Sequence, residues 1–303
     1  MRWRGRRGSG NIEDRRGRRG GGGLGGAVLR RRGGGRTRRA GGIGGLGLVA
    51  VLLIGWFFGV DVSPFLGGGG TTTYVGAPGG STAPISEAER EEGQFVSVVL
   101  ADTEEVWDAV FQEQLGRAYD PATLVLFSGA TQSPCGGASG ATGPFYCPAD
   151  EKAYLDTAFF TTLEQQMGAG GDFAAAYVVA HEIAHHVQNE LGILGDANRI
   201  RAQVGEAESN AISVRIELQA DCYSGIWARR AADRFGSIER GDVDEAIDAA
   251  RRIGDDYLQR RAGRVPAPHT FTHGTSEQRA RWFSAGWDTG EMAACDTFGA
   301  DRL

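Results

Sequence analysis

Residues 172–191 are nearly apolar and helix-favouring, yet they carry His181, Glu182 and His185 in the pattern H-E-x-x-H. On a helix, positions four apart lie about 40° apart around the axis and one turn from each other. Both imidazoles therefore share a face. Asp172 is suited to cap the start, the run 173–180 supplies an apolar approach, and Gly192 is suited to end the helix. An apolar helix of this kind must be buried, and ionisable groups are rarely buried without partners. A shared Zn²⁺ meets that requirement, with the intervening glutamate placed to handle a water.

A catalytic zinc takes three protein ligands and keeps one position open. Downstream stands Glu217-Leu218-Gln219-Ala220-Asp221. Glu217 can supply the third ligand from a second helix. Asp221, one turn further on the same face, can accept from a ligating imidazole and fix its tautomer. H-E-x-x-H followed by E-x-x-x-D resembles the gluzincin arrangement. The metzincin pattern needs a histidine at position 191, which is Leu191. His269 and His273 remain as alternative third ligands. His186 points about 100° away from His185 and should serve another purpose.

Charge divides the chain sharply. Residues 1–39 hold 14 Arg against Glu13 and Asp14, a net of +12; residues 40–60 hold no charge; residues 61–303 hold 18 basic and 36 acidic side chains, a net of −18. The uncharged stretch would span about 31 Å as a helix, enough for a bilayer core. The sequence thus predicts a cytoplasmic Arg/Gly-rich segment over 1–39, a transmembrane helix over 40–60, a flexible linker over 61–85 and a folded domain over 86–303. The positive-inside rule puts that domain outside the cytoplasm of a bacterial cell membrane, with the N-terminus inside. A cleaved signal peptide is the rival, disfavoured by the long basic region. The arginines lack the interleaved aromatics of a nucleic-acid binder, so no nucleic-acid partner is expected.

Cys135, Cys147, Cys222 and Cys295 all follow the apolar stretch. An even count in an oxidising compartment suggests two disulfides, with three connectivities open. Pairing of Cys135 with Cys147 would close a Gly-rich loop, and pairing of Cys222 with Cys295 would tie the metal-site helix to the C-terminus.

Within the domain, helices are expected over 87–100 and 103–114, the second capped by Asp102 and Glu105, and over 159–167, 172–191, 209–230, 242–261 and 275–285. Residues 128–143 read as loop. Residues 122–127, 145–147 and 153–155 read as short strands. The class is α+β, mostly helical, with a small antiparallel sheet.

The chain resembles the bacterial neutral zinc metallopeptidases, which are anchored by one N-terminal transmembrane helix. The resemblance is carried by ordered blocks: Met1-Arg2-Trp3-Arg4-Gly5-Arg6-Arg7 with Asn11-Ile12-Glu13-Asp14-Arg15-Arg16; Gly143-Pro144-Phe145-Tyr146-Cys147-Pro148 with Tyr154-Leu155-Asp156; His181-Glu182-Ile183-Ala184-His185-His186-Val187-Gln188; Glu217-Leu218-Gln219-Ala220-Asp221-Cys222; Phe271-Thr272-His273-Gly274-Thr275-Ser276-Glu277-Gln278-Arg279; and Cys295-Asp296-Thr297-Phe298. It implies a gluzincin-like peptidase domain over 86–303.

The expected chemistry is peptide hydrolysis with Zn²⁺ on His181, His185 and Glu217, Glu182 as general base, and a peptide or protein as substrate. For the oxyanion donor, His273 is the first candidate and Tyr223 the second, with Arg279 near His273. A short strand near Tyr154 is a candidate for pairing with substrate backbone. Two other readings are a membrane-tethered binding or scaffold module with a non-catalytic zinc, and a zinc amidase acting on cell-wall peptide.

Overall fold

The computed structural model describes residues 1–17, 85–139, 142–239 and 241–303. The apolar stretch 40–60 and the linker 61–84 lie outside the described residues. Among those described, no helix is long and apolar enough to cross a membrane.

The first 17 residues belong to the folded body. Strand β1 (Ile12–Asp14) lies parallel to β2 (Thr123–Phe127), with Ile12 opposite Leu124 and Asp14 opposite Leu126. Trp3 is 4% exposed, packs edge-on against Phe95 and donates its indole N–H to Asp172 Oδ2 at 3.0 Å. The N-terminal ammonium donates to Asp242 Oδ1 at 3.0 Å. Arg4 pairs with Glu91, Arg6 with Asp102 and Arg7 with Glu105. The basic head is therefore the electrostatic complement of an acidic domain, a reason for its arginines that charge counting alone does not reveal. Gly17 lies beside Ile85. Residues 1–17 thus share a sheet and a hydrophobic core with the domain that follows residue 85.

The head also contacts the first helix, which differs from expectation. A single helix α1 (Glu87–Val110) replaces the two expected, with a capping box formed by Ser86 and Glu89. Asp102 is not a cap. It is buried mid-helix and held by the two-pronged guanidinium of Arg6. A helix continues through an aspartate when a distant cation satisfies the carboxylate, and the local sequence does not carry that information.

The main sheet runs β1-β2-β6-β5, where β5 is Phe145–Cys147 and β6 is Lys152–Asp156. β1, β2 and β6 are parallel; only β5 is antiparallel, to β6. The expected antiparallel sheet is thus a mixed one. β2 and β6, at the centre of the sheet, are buried along most of their length, whereas edge strand β1 is half-buried. Part of the expected 128–143 loop is a hairpin, β3 (Ala130–Ser133) with β4 (Gly136–Ser139). It is stapled to β5 by the Cys135–Cys147 disulfide.

Beyond a short helix α2 (Ala158–Thr161) come α3 (Asp172–Glu190), α4 (Ile193–Arg201) and α5 (Glu206–Phe235). They are followed by α6 (Asp242–Arg252), α7 (Asp255–Arg261) and α8 (Ser276–Thr289). Helix α3 is buried from Phe173 through Ala184, against α1 on one side and α5 on another. The α5–α8 contact is made at two glycines. A Cβ on Gly225 would overlap the Phe283 carbonyl, and one on Gly286 would overlap the Cys222 carbonyl. Two missing side chains let the helix backbones approach closely, which carries Arg279 on α8 to Asp221 on α5. The Cys222–Cys295 disulfide closes the same corner.

Candidate metal centre

Helix α3 presents His181 and His185 on one face, their rings edge to face with centroids 4.8 Å apart. Helix α5 crosses so that Glu217 meets both. His181 Nε2 lies 3.1 Å from Glu217 Oε2, and His185 Nε2 lies 3.6 Å from Glu217 Oε1. One ligand atom from each of the three residues fits within 4.8 Å of the others. Tetrahedral ligands on a zinc with bonds of about 2.1 Å stand about 3.4 Å apart, close to the two His–Glu spacings. The chemistry of the donors fits as well: two neutral imidazoles and one carboxylate are the set of a catalytic zinc, which leaves one position open.

The electrostatics favour a cation between these groups. Burial works against a charged His181, yet the Asp221 and Glu217 carboxylates raise its pKa to about 9. Burial also opposes ionisation of Glu217, but His185, His273 and His181 keep it charged well below the usual carboxylate range. Glu182, next to His181 in sequence, is raised to about 7, first by burial and then by the charge of Glu217.

Each imidazole is held from behind by a different group. His181 Nδ1 lies 3.0 Å from Asp221 Oδ1, although the approach is not aligned as a hydrogen bond. The aligned donors to Asp221 are Arg279, through Nε at 2.8 Å and Nη2 at 2.9 Å, and the Tyr177 hydroxyl at 2.5 Å. His185 Nδ1 meets Gln188 Oε1 at 2.8 Å. Sequence reasoning passed over Tyr177 and Gln188. Gln188 lies on the ligand helix three residues after His185, a spacing that hints at the contact.

The candidate oxyanion donors separate. Asp255 Oδ2 accepts the backbone N–H groups of Thr272, His273 and Gly274, at 2.8, 2.7 and 3.0 Å. Its Oδ1 lies 3.3 Å from His273 Nδ1. This clamp engages His273 through Nδ1, and the charge of His273 acts on both Glu182 and Glu217. Tyr223 is buried against Trp107, ring centroids 5.6 Å apart. It stands two residues from Asp221, about 200° around the helix, and so faces the core. Arg279 is committed to Asp221 and is not free for an oxyanion. His269 offers its backbone carbonyl to Asn210 and is not among the three-residue group.

His186 faces away, between the Tyr146 hydroxyl at 3.0 Å and the Asp120 carbonyl at 2.7 Å. That bond fastens β5 to the metal helix. The strand bearing Tyr154 lies inside the sheet, so the edge beside the metal helix belongs to β5.

Two histidines from one helix and a glutamate from a second form a group that could hold a metal ion, with a buried glutamate beside them. The chain belongs to the family described as "Putative neutral zinc metallopeptidase", whose model matches residues 1–298. It is 44% identical over 300 residues to "Uncharacterized protein YpfJ" of Escherichia coli strain K12, covering 99% of each chain. It is also 42% identical over 223 residues to "Uncharacterized protein Rv2575" of Mycobacterium tuberculosis strain H37Rv, covering 70% of this chain and 74% of that one. No solved structure matches the chain.

Proposed function

We propose that this protein is a zinc-dependent peptidase that hydrolyses peptide bonds, with His181, His185 and Glu217 holding the metal. The observation that carries this reading is the convergence of those three side chains beside the buried Glu182. The pairing of the two motifs supports a gluzincin-type arrangement. A bound Zn²⁺ supplies a polarised water near neutral pH and a Lewis acid for the scissile carbonyl.

The chain's own groups do the rest. Glu182 accepts the proton of the attacking water and returns it to the leaving nitrogen. Burial and Glu217 raise its pKa, which suits both transfers. His273, clamped by Asp255, offers Nε2 as the donor to the developing oxyanion. Asp221, fixed by Arg279 and Tyr177, orients His181.

We place the domain outside the cytoplasm, a location supported by its two disulfides. The docked head shares that side. A peptide or protein is the expected substrate.

The purified full-length chain, loaded with zinc, is compared with Glu182→Gln on a mixture of peptides. Cleavage by the wild type alone, with equal zinc in both, supports the reading. Equal cleavage by both sinks the assignment of Glu182.

A further inference from the structure

His185 ends a chain of buried amides that starts at a disulfide. Its Nδ1 faces Gln188 Oε1 at 2.8 Å. Gln188 is fully buried and donates both amide protons, to the Ile216 carbonyl at 2.8 Å and to Gln219 Oε1 at 3.0 Å. Gln219 in turn donates Nε2 to the Cys295 carbonyl at 3.0 Å. Cys295 is bonded to Cys222, the neighbour of Asp221 on the helix that carries Glu217.

The sense of these bonds has only one solution. The carbonyl oxygens of Ile216 and Cys295 can only accept. Gln219 must therefore turn its NH₂ to Cys295, and Gln188 must turn its NH₂ to Ile216 and Gln219. Flipping either amide would set oxygen against oxygen in a buried site. Gln188 is left with its oxygen toward His185, which forces the proton onto Nδ1 and leaves the Nε2 lone pair facing Glu217. That is the tautomer a metal ligand requires.

We propose that Gln188 and Gln219 are positioning residues for His185 and that the Cys222–Cys295 disulfide sets the zinc affinity of the site through them. The inference rests on the proposed zinc-binding role of His185. It predicts that the bridge does more than hold the C-terminus in place: through the Cys295 carbonyl it orients Gln219, which with the Ile216 carbonyl holds the Gln188 amide in the sense that imposes the tautomer. The two ligating imidazoles are then tuned differently, His181 by a charged carboxylate and His185 by a neutral amide.

The test measures zinc affinity of the full-length chain by competition with a chromogenic chelator, with the thermal midpoint recorded for every variant. Gln188→Met and Gln219→Met keep side-chain length and remove the amides. Cys222→Ser with Cys295→Ser removes the bridge and leaves Cys135–Cys147 intact. Gln188→Met is expected to weaken zinc binding roughly 10–100-fold, the usual cost of losing a ligand's hydrogen-bond partner. Bridge removal is expected to weaken binding in the wild-type background and to add little to Gln219→Met.

Unchanged affinity in Gln188→Met, or a bridge effect equally large in the Gln219→Met background, overturns the inference while leaving the zinc site standing. A wild-type chain that binds no zinc overturns the metal reading itself. A purely structural role would lower the thermal midpoint without this dependence of one affinity loss on another.

Discussion

Arg279 and Asp221 form a two-pronged ion pair behind the metal centre, with Nε–Oδ2 at 2.8 Å and Nη2–Oδ1 at 2.9 Å. Both are buried, Asp221 completely, and Tyr177 caps the pair through its hydroxyl. The pair ties the last long helix to the helix that bears Glu217. Removing the cation strands a buried carboxylate beside His181. Arg279→Met is expected to destabilise the fold by roughly 3–5 kcal/mol and to disturb His181 as well. Denaturant titration measures the first effect and zinc affinity the second. A variant as stable as the wild type would show that the pair does not hold this corner.

His273 and Tyr223 were both oxyanion candidates, and the structure separates them. Replacing His273 by Ala is expected to lower kcat by about 10²–10³ with little change in KM, the cost of losing one such donor. Tyr223→Phe is expected to leave kcat near wild type, because its ring packs on Trp107 away from the metal. Steady-state kinetics on a cleaved peptide decide this. The reverse ranking would refute the placement.

The close contact of α5 and α8 depends on Gly225 and Gly286. Gly286→Ala puts a methyl group into the Cys222 carbonyl. Overpacking of this kind costs about 1–3 kcal/mol, and here it also pushes Arg279 from Asp221. The thermal midpoint and zinc affinity should fall together. Loss of stability with zinc binding intact would mean that the helix spacing does not reach the site.

The docked head makes two expectations. Trp3→Ala removes a buried indole and its bond to Asp172, with an expected loss of roughly 3–5 kcal/mol in unfolding free energy. Reporters fused at residue 1 and at residue 303 are expected to lie on the same side of the membrane. Opposite sides in cells would mean that the head is not docked there.

Glu13 supplies a pH dependence. Hydrogen bonds from Arg15, and then Lys152, hold its carboxyl at about 2, below the ordinary 4.5. A lowered folded-state pKa adds stability above the unfolded value, and that stability is lost as pH falls through the folded value. The gap in thermal midpoint between wild type and Glu13→Gln should therefore be full above about pH 4.5 and shrink toward pH 2. The side chain is partly exposed, so salt is expected to reduce the gap. A gap that widens on acidification would refute the pairing.

What the sequence determined was local. The 3.6-residue period alone puts His181 and His185 on one face of one helix, and alternation with short turns marks β2, β5 and β6. The motif spacing named Glu217 and Asp221 as partners. The four cysteines suggested the two pairings that the structure forms. Tertiary structure decided the rest, because each remaining feature joins residues far apart in the chain. Asp102 reads as a cap until Arg6, 96 residues away, is seen to satisfy it. Arg4, Arg6 and Arg7 read as part of one basic run, and their pairing with Glu91, Asp102 and Glu105 is visible only in the fold. The parallel order β1-β2-β6 depends on which strands meet, which a strand's own pattern does not encode. Arg279 reads as a free cation near the site, and only the close packing allowed by Gly225 and Gly286 commits it to Asp221. Helix and strand periods arise from neighbours in sequence, whereas ion pairs, sheet order and helix spacing arise from packing, where burial selects among many locally acceptable arrangements.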